Sequence, residues 1–404
     1  MHKQGRFTFE LISFSIIRAV IDTSHRMIFS FLPIFARGLK VNLEGMALII
    51  SSRYALGIIA PYIGQYAEAR GTKKAMLLGL LLFIIGFTLV SIKPIIIMFC
   101  IALLFAILGR MLFIPAMQGY ISANADHSQR GFAMSIPEIG WSGASIIGIP
   151  ITGLIITRYG WVSPFPWLAA LGLLAMLGLF WWLPSAQRSP SIVPSMFNKI
   201  RHLLTKTSTI LILISCLLMA ISSANINIIY STHIENVYNL HITALGITAF
   251  FLGLAELGGE SLAAILIDRF KPGVAVCIGI GVNMMVAVLM PKIGGTLPGA
   301  VIGLSLIFLS SEFFMVGILP LLVNITPKAE ITALSLRITI NQGGVAIGTA
   351  IGPWLFRQGW NINFYATAIL DFVALLLMFL FTQRFIWSKV KNLIIDKKKR
   401  FDNI

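Results

Sequence analysis

Apolar runs of 18 to 27 residues recur from one end of the chain to the other, separated by short polar segments that hold most of the charge. A run of that length, coiled at about 1.5 Å per residue, crosses a hydrocarbon core of about 30 Å. Run length, Pro/Gly breaks and charged turns together predict twelve membrane helices, over 9–35, 44–67, 75–92, 95–121, 131–157, 163–184, 208–232, 243–267, 273–292, 297–323, 332–356 and 363–386. The one long connection, 185–207, has Ser-Pro and Val-Pro steps and then a basic stretch in which Ile200, Leu203 and Leu204 share a helical face. It is expected to be a cytoplasmic linker whose helix lies at the membrane surface.

The second half repeats the first at an offset of about two hundred residues. That shift lays Asp268-Arg269 on Glu68-Ala69, Ser335 on Ser135, and Gly359-Trp360 close to Gly160-Trp161. The predicted architecture is an all-α polytopic membrane protein of two pseudo-symmetric six-helix bundles. Residues 1–184 form the first bundle, 185–207 the linker, 208–386 the second bundle and 387–404 a basic cytoplasmic tail. Parallel halves of this kind place a substrate site between them, near the midplane.

Composition agrees: 57% of residues are hydrophobic and 11% charged, which excludes an ordinary soluble domain. The net charge of +16 would suggest nucleic acid as a partner in a soluble chain, but here the basic residues sit between spans. With the N-terminus cytoplasmic, inside segments hold Lys3, Arg6, Arg70, Lys73, Lys74, Arg130, Arg188, Lys199, Arg201, Lys206, Arg269, Lys271, Lys328 and the tail, while outside segments hold only Arg37, Lys40, Lys93, Arg158, Lys292 and Arg357. That bias predicts a multi-pass protein of a bacterial inner membrane with both termini cytoplasmic, bound to lipid and not to nucleic acid. The first run lacks a small-residue cleavage site and reads as a span, not a removable signal. Cys100, Cys216 and Cys277 stand singly in apolar helices, and His127, His202, His233 and His241 fall in loops at no metal-like spacing, so neither a metal nor another cofactor is expected.

The loop after the second span reads GQYAEARGTKK. Gly64, Glu68, Gly71, Lys73 and Lys74 resemble the loop motif of the major facilitator superfamily, although Ala69 and Thr72 replace basic residues usual there. Asp268 and Arg269 repeat its acid and base in the second half. The resemblance implies that Glu68 docks near Ile331 as a cytoplasmic gate. Gly140, Gly143, Gly148, Pro150 and Gly153 only partly resemble the superfamily's antiporter motif, and close packing of the fifth span is an equal reading.

Away from the span ends, eleven charged residues fall within spans: Arg18, Asp22, Arg26, Arg53, Arg110, Glu138, Glu256, Glu260, Glu312, Arg337 and Asp371. At about 3 kcal/mol each they cannot all face lipid, so they must pair or line water. Arg18, Asp22 and Arg26 stack on one face of the first helix beside His25. Asp22, Arg110 and Glu138 fall within about 10 Å of each other in depth. The resemblance implies that an acid on the first helix and an arginine on the fourth face the central path, which selects Asp22 and Arg110. Burial favours a neutral carboxylate and a nearby arginine favours the charged one, so these three residues are proton-coupling candidates; static ion pairing is the alternative. Arg18, His25, Arg26, Asn225, Asn227, Glu312 and Arg337 are candidates for the substrate cavity. Arg53 and Asp371, nearer a membrane face, are expected to snorkel.

The functional reading is a secondary active transporter of a small molecule, working by alternating access with proton-coupled efflux. A proton-coupled importer or a facilitator of an anionic or zwitterionic metabolite is the alternative, and a non-transporting membrane sensor the alternative of another class. An enzyme is not expected, since no nucleophile, base or metal ligands cluster, nor a primary pump, since no phosphate-cradling loop is present. A monomer is expected, as nothing demands a partner chain.

Overall fold

The computed structural model describes residues 3–59, 71–125, 130–184, 196–238, 242–267, 272–326 and 330–401, and among them it contains helices and no strand. The elements are α1 (Lys3–Ser30), α2 (Leu32–Leu39), α3 (Leu43–Ala55), α4 (Thr72–Ile92), α5 (Ile96–Asn124), α6 (Ala133–Tyr159), α7 (Pro164–Trp182), α8 (Met196–Leu203), α9 (Thr207–Tyr238), α10 (Ile242–Leu266), α11 (Pro272–Ile293), α12 (Leu297–Ile325), α13 (Glu330–Gln358) and α14 (Trp360–Phe401). Nine of them, among the described residues, contain stretches long and apolar enough to cross a membrane: α4, α5, α6, α7, α9, α10, α11, α12 and α14. The other three predicted spans fall on α1–α2, on α3 and on α13. Of these, α1 carries Arg6, Glu10, Arg18, Asp22 and Arg26 along one helix.

Close helix contact is made by glycines. Gly79 of α4 and Gly109 of α5 face each other so tightly that a Cβ on Gly79 would stand 2.6 Å from the Gly109 carbonyl oxygen. On α13, Gly344, Gly348 and Gly352 recur every fourth residue and lie on the carbonyls of Leu217, Ile221 and Asn225 of α9. Such small-residue stripes let backbones approach where lipid offers helices no hydrophobic drive to associate. The Gly/Pro-rich α6 is irregular, with a 3₁₀ turn at Ile136–Glu138 and a π turn at Ala144–Gly148. Its Gly140 sits against the Ser15 carbonyl and Gly148 against Thr23, both on α1, whereas Gly143 has nothing within 4 Å. Packing thus accounts for Gly140 and Gly148.

The repeat is visible at the loop ends. Gly160 (φ +88°) and Gly359 (φ +138°) both take backbone conformations open to glycine, and each is followed by a tryptophan. Trp161 packs under Gly38 of α2, and Trp360 stacks on His233 near the end of α9 with ring centroids 3.3 Å apart. His233 is therefore a buried helical residue and not a loop residue. The predicted linker helix exists as α8, but Leu203 is buried in the core of the second half instead of facing a membrane surface, while Leu204 is exposed.

Among the described residues, polar contacts between the halves include hydrogen bonds partway along the helices and an ion pair at the end far from the N-terminus. Tyr230 donates to Ser30 Oγ and Ser231 to the Phe29 carbonyl, joining α9 to α1. Ser51 of α3 donates to the Ala346 carbonyl of α13. At the far end Arg37 of α2 makes a two-point pair with Glu235 of α9, at 2.8 and 2.7 Å.

Candidate functional site

Two polar clusters stand out, one within the first half and one that joins the halves. In the first half, α1 presents Arg18 and Asp22 one turn apart, α5 presents Arg110, and the irregular start of α6 presents Glu138. Asp22 is fully buried and holds two arginines: Arg110 donates its Nε to Oδ1 at 2.8 Å and Arg18 donates its Nε to Oδ2 at 3.2 Å. The other end of Arg18 reaches Glu138, with Nη1 2.5 Å from Oε1. Glu138, 47% exposed, also accepts from Gln118 at 3.2 Å. The result is a charge-balanced run from an exposed carboxylate to a buried one, with Arg18 as the bridge. Asp22 thus touches Arg110 directly and is connected to Glu138 through Arg18.

Arg26 goes elsewhere. Its Nη1 lies 2.6 Å from Glu256 Oε2 on α10, across the interface, and its guanidinium lies 3.7 Å from the Trp141 ring centre. It lines a small cavity with Phe29, Ser30, Asn227, Tyr230 and Phe308. Glu260, one turn from Glu256, accepts from Ser142 of α6 at 3.3 Å. Glu312 of α12 is within electrostatic reach of both these carboxylates and of Arg26 and Arg337. Arg337 contacts the Met315 sulfur at 3.9 Å and has a buried Nε without a hydrogen-bond partner. His25 meets the Tyr54 hydroxyl at 3.0 Å within an aromatic group that includes Phe29 and Trp141.

Several expectations are corrected. Asn225 does not face the cavity: it donates to the Asn363 carbonyl and Thr367 Oγ1 and accepts from Asn363 Nδ2, all on α14, because the buried amide finds its partners in the neighbouring helix. Arg53 does not snorkel; it is buried beside the rings of Phe29 and Tyr54. Asp371 is likewise fully buried and accepts from Ser222 at 2.7 Å. Of the loop motif, Gly64, Glu68, Asp268 and Arg269 lie outside the described residues. Gly71 has φ +93° and begins α4. Lys73 donates to the carbonyls of Phe180 and Leu183, at 2.8 and 2.5 Å, and so caps the end of α7, where a cation is favoured by the helix dipole. Lys74 is exposed.

Trp141, Tyr54, Gln118 and Ser142 were not singled out by sequence reasoning. A signal for Trp141 existed, since it lies three residues after Glu138 and shares its helical side. Glu10, which accepts from Tyr120 at 2.9 Å and pairs with Arg6 at 3.3 Å, carried no such signal.

Among solved structures, the chain matches a bacterial homolog to human lysosomal transporter, Spinster, in an inward-facing and unoccupied conformation, with TM-score 0.77 and 14% identity over 94% of this chain and 98% of that one. The occupied form of that homolog gives a TM-score of 0.72. The chain is 25% identical over 368 residues to an uncharacterized MFS-type transporter, YceJ, of Bacillus subtilis, covering 88% of this chain and 90% of that one. It is 24% identical over 385 residues to the inner membrane transport protein YdhP of Escherichia coli K12, covering 93% and 96%. The family model of the Major Facilitator Superfamily matches residues 14–317, and the chain belongs to that superfamily.

Proposed function

We propose that this membrane transporter exports a small molecule by alternating access, in exchange for protons, with Asp22 as the coupling carboxylate. The observation that carries the reading is the pair of arginines on Asp22, one from its own helix and one from α5. A fully buried carboxylate holds its charge only while such partners stay. If α5 shifts against α1, Arg110 leaves and Asp22 takes a proton; if Arg110 returns, the proton goes. Glu138 gives that exchange an exposed end, connected through Arg18.

The cavity bordered by Arg26, Asn227 and Tyr230 is the substrate-contact region. Twelve spans in two six-helix halves follow from the apolar runs and cytoplasmic termini from the charge bias, and with that orientation the Arg37–Glu235 pair joins the halves at the outer end. The similarity to an inner membrane transport protein of Escherichia coli supports the location.

The test is substrate-induced decay of a pH gradient in inside-out vesicles, run across panels of cationic, zwitterionic and anionic compounds. Decay with wild type and none with Asp22→Asn supports proton exchange and identifies the substrate class. No decay with any panel, despite confirmed insertion, would overturn proton-coupled export.

A further inference from the structure

We propose that Glu256 is a second proton-accepting carboxylate, and that its ion pair with Arg26 is the latch holding the two halves together while the carrier is empty. The proposal rests on the alternating-access reading above. Its basis is geometric: Nη1 and Oε2 are 2.6 Å apart, the side chains are 12% and 6% exposed, and the partners come from opposite halves. The far-end pair, Arg37–Glu235, has its arginine 61% exposed and is correspondingly weak. Parting Arg26 from Glu256 would leave two unpaired charges away from water, so the ionised pair resists separation.

A proton on Glu256 Oε2 removes that resistance. The acid becomes neutral, and the Arg26 guanidinium keeps its seat on the Trp141 ring. The groups that face Glu256 are Arg26 from α1, Tyr230 from α9, Glu312 from α12 and Glu260 one turn along its own helix, and Glu260 in turn faces Ser142 and Glu138 of α6. Among the described residues Glu260 has the Ser142 hydroxyl and no arginine in hydrogen-bond contact, and it is only half-buried. It is the stepping place from which a proton reaches Glu256. An exchanger must keep its empty form from turning over, and an ion pair that only a bound proton or substrate releases meets that need.

The test measures conformation, not transport. Nitroxide labels go on Tyr159→Cys and Val237→Cys, exposed positions at the far ends of α6 and α9, after replacement of Cys100, Cys216 and Cys277. Pulsed dipolar spectroscopy then reports the separation of the halves. Wild type should give one short distance near pH ~8 and a several-fold larger long-distance population near pH ~5. Glu256→Gln should raise the long-distance population by about tenfold already at the higher pH, and the exchanged pair Arg26→Glu with Glu256→Arg should restore the short distance. A wild-type distribution indifferent to pH, or Glu256→Gln as closed as wild type, would overturn the latch. The Asp22→Asn variant separates the two claims: if it still couples transport while the distances respond as expected, the coupling role of Asp22 fails and the latch stands.

Discussion

Arg110 donates its Nε to Asp22 Oδ1 across 2.8 Å, bringing together two residues 88 positions apart, from α5 and α1. On the other oxygen of the same carboxylate sits Arg18, and beyond Arg18 sits Glu138. A buried acid held from two sides by arginines, one of them on a different helix, is sensitive to the relative position of those helices, which is what coupling of charge to conformation requires.

Lys73 and Lys74 are adjacent in the loop motif but differ in what they touch. Lys73 caps two carbonyls at the end of α7, while Lys74 is exposed. Lys73→Ala should therefore cost about 1 kcal/mol and lower the thermal midpoint in detergent by about 1–3 °C. Lys74→Ala should leave it unchanged. Equal shifts for both would contradict the capping role.

A Cβ at Gly148 would collide with Thr23 of α1, whereas one at Gly143 meets nothing within 4 Å. Gly148→Ala should destabilise by about 1–3 kcal/mol through forced separation of α1 and α6. Gly143→Ala should fold as wild type. Denaturation of the two purified variants side by side checks this.

How much of this could be read beforehand depends on what hydropathy measures. It gives the depth of a residue along a span, and depth was enough to group Asp22, Arg110 and Glu138. Azimuth around the helix axis is set by packing, which is why Asn225, Arg53 and Asp371 were misassigned: each lies at a plausible depth but points into a neighbouring helix or ring cluster. The partner of Arg26 was unreadable for another reason. Spacing within α1 favoured Asp22, but Glu256, 230 residues away, is brought in only by the docking of the halves. The repeat and the glycine turns at Gly160 and Gly359 were legible because they need no knowledge of azimuth.

Asn225 is bound to α14 through three hydrogen bonds, and Asn227 lines the central cavity. Asn225→Ala should lower stability by about 1–3 kcal/mol, because it strands buried polar groups of Asn363 and Thr367, and leave substrate selectivity as it was. Asn227→Ala should do the reverse, changing apparent affinity with little effect on unfolding. A selectivity change in the Asn225 variant would contradict the assignment.

The Arg37–Glu235 pair at the far end is not a pH sensor. The carboxylate of Glu235 holds the Arg37 guanidinium above its ordinary range. A basic group with a raised folded value contributes its stability below that range and loses it only as pH rises through it. Between about pH 6 and 9 the arginine's contribution stays constant, while added salt weakens the pair. Distances across the far end in Arg37→Gln should therefore keep the wild-type pH response, and loss of that response would assign the sensor to this pair.

The most direct measurement of the coupling claim compares two modes of transport in proteoliposomes containing Asp22→Asn. Exchange of labelled for unlabelled substrate at equal pH on both sides needs only alternating access; accumulation driven by a pH gradient also needs the proton. Exchange should stay within about threefold of wild type and gradient-driven accumulation should fall at least tenfold, about 1.4 kcal/mol or more of lost coupling. Accumulation at the wild-type level by that variant would contradict it.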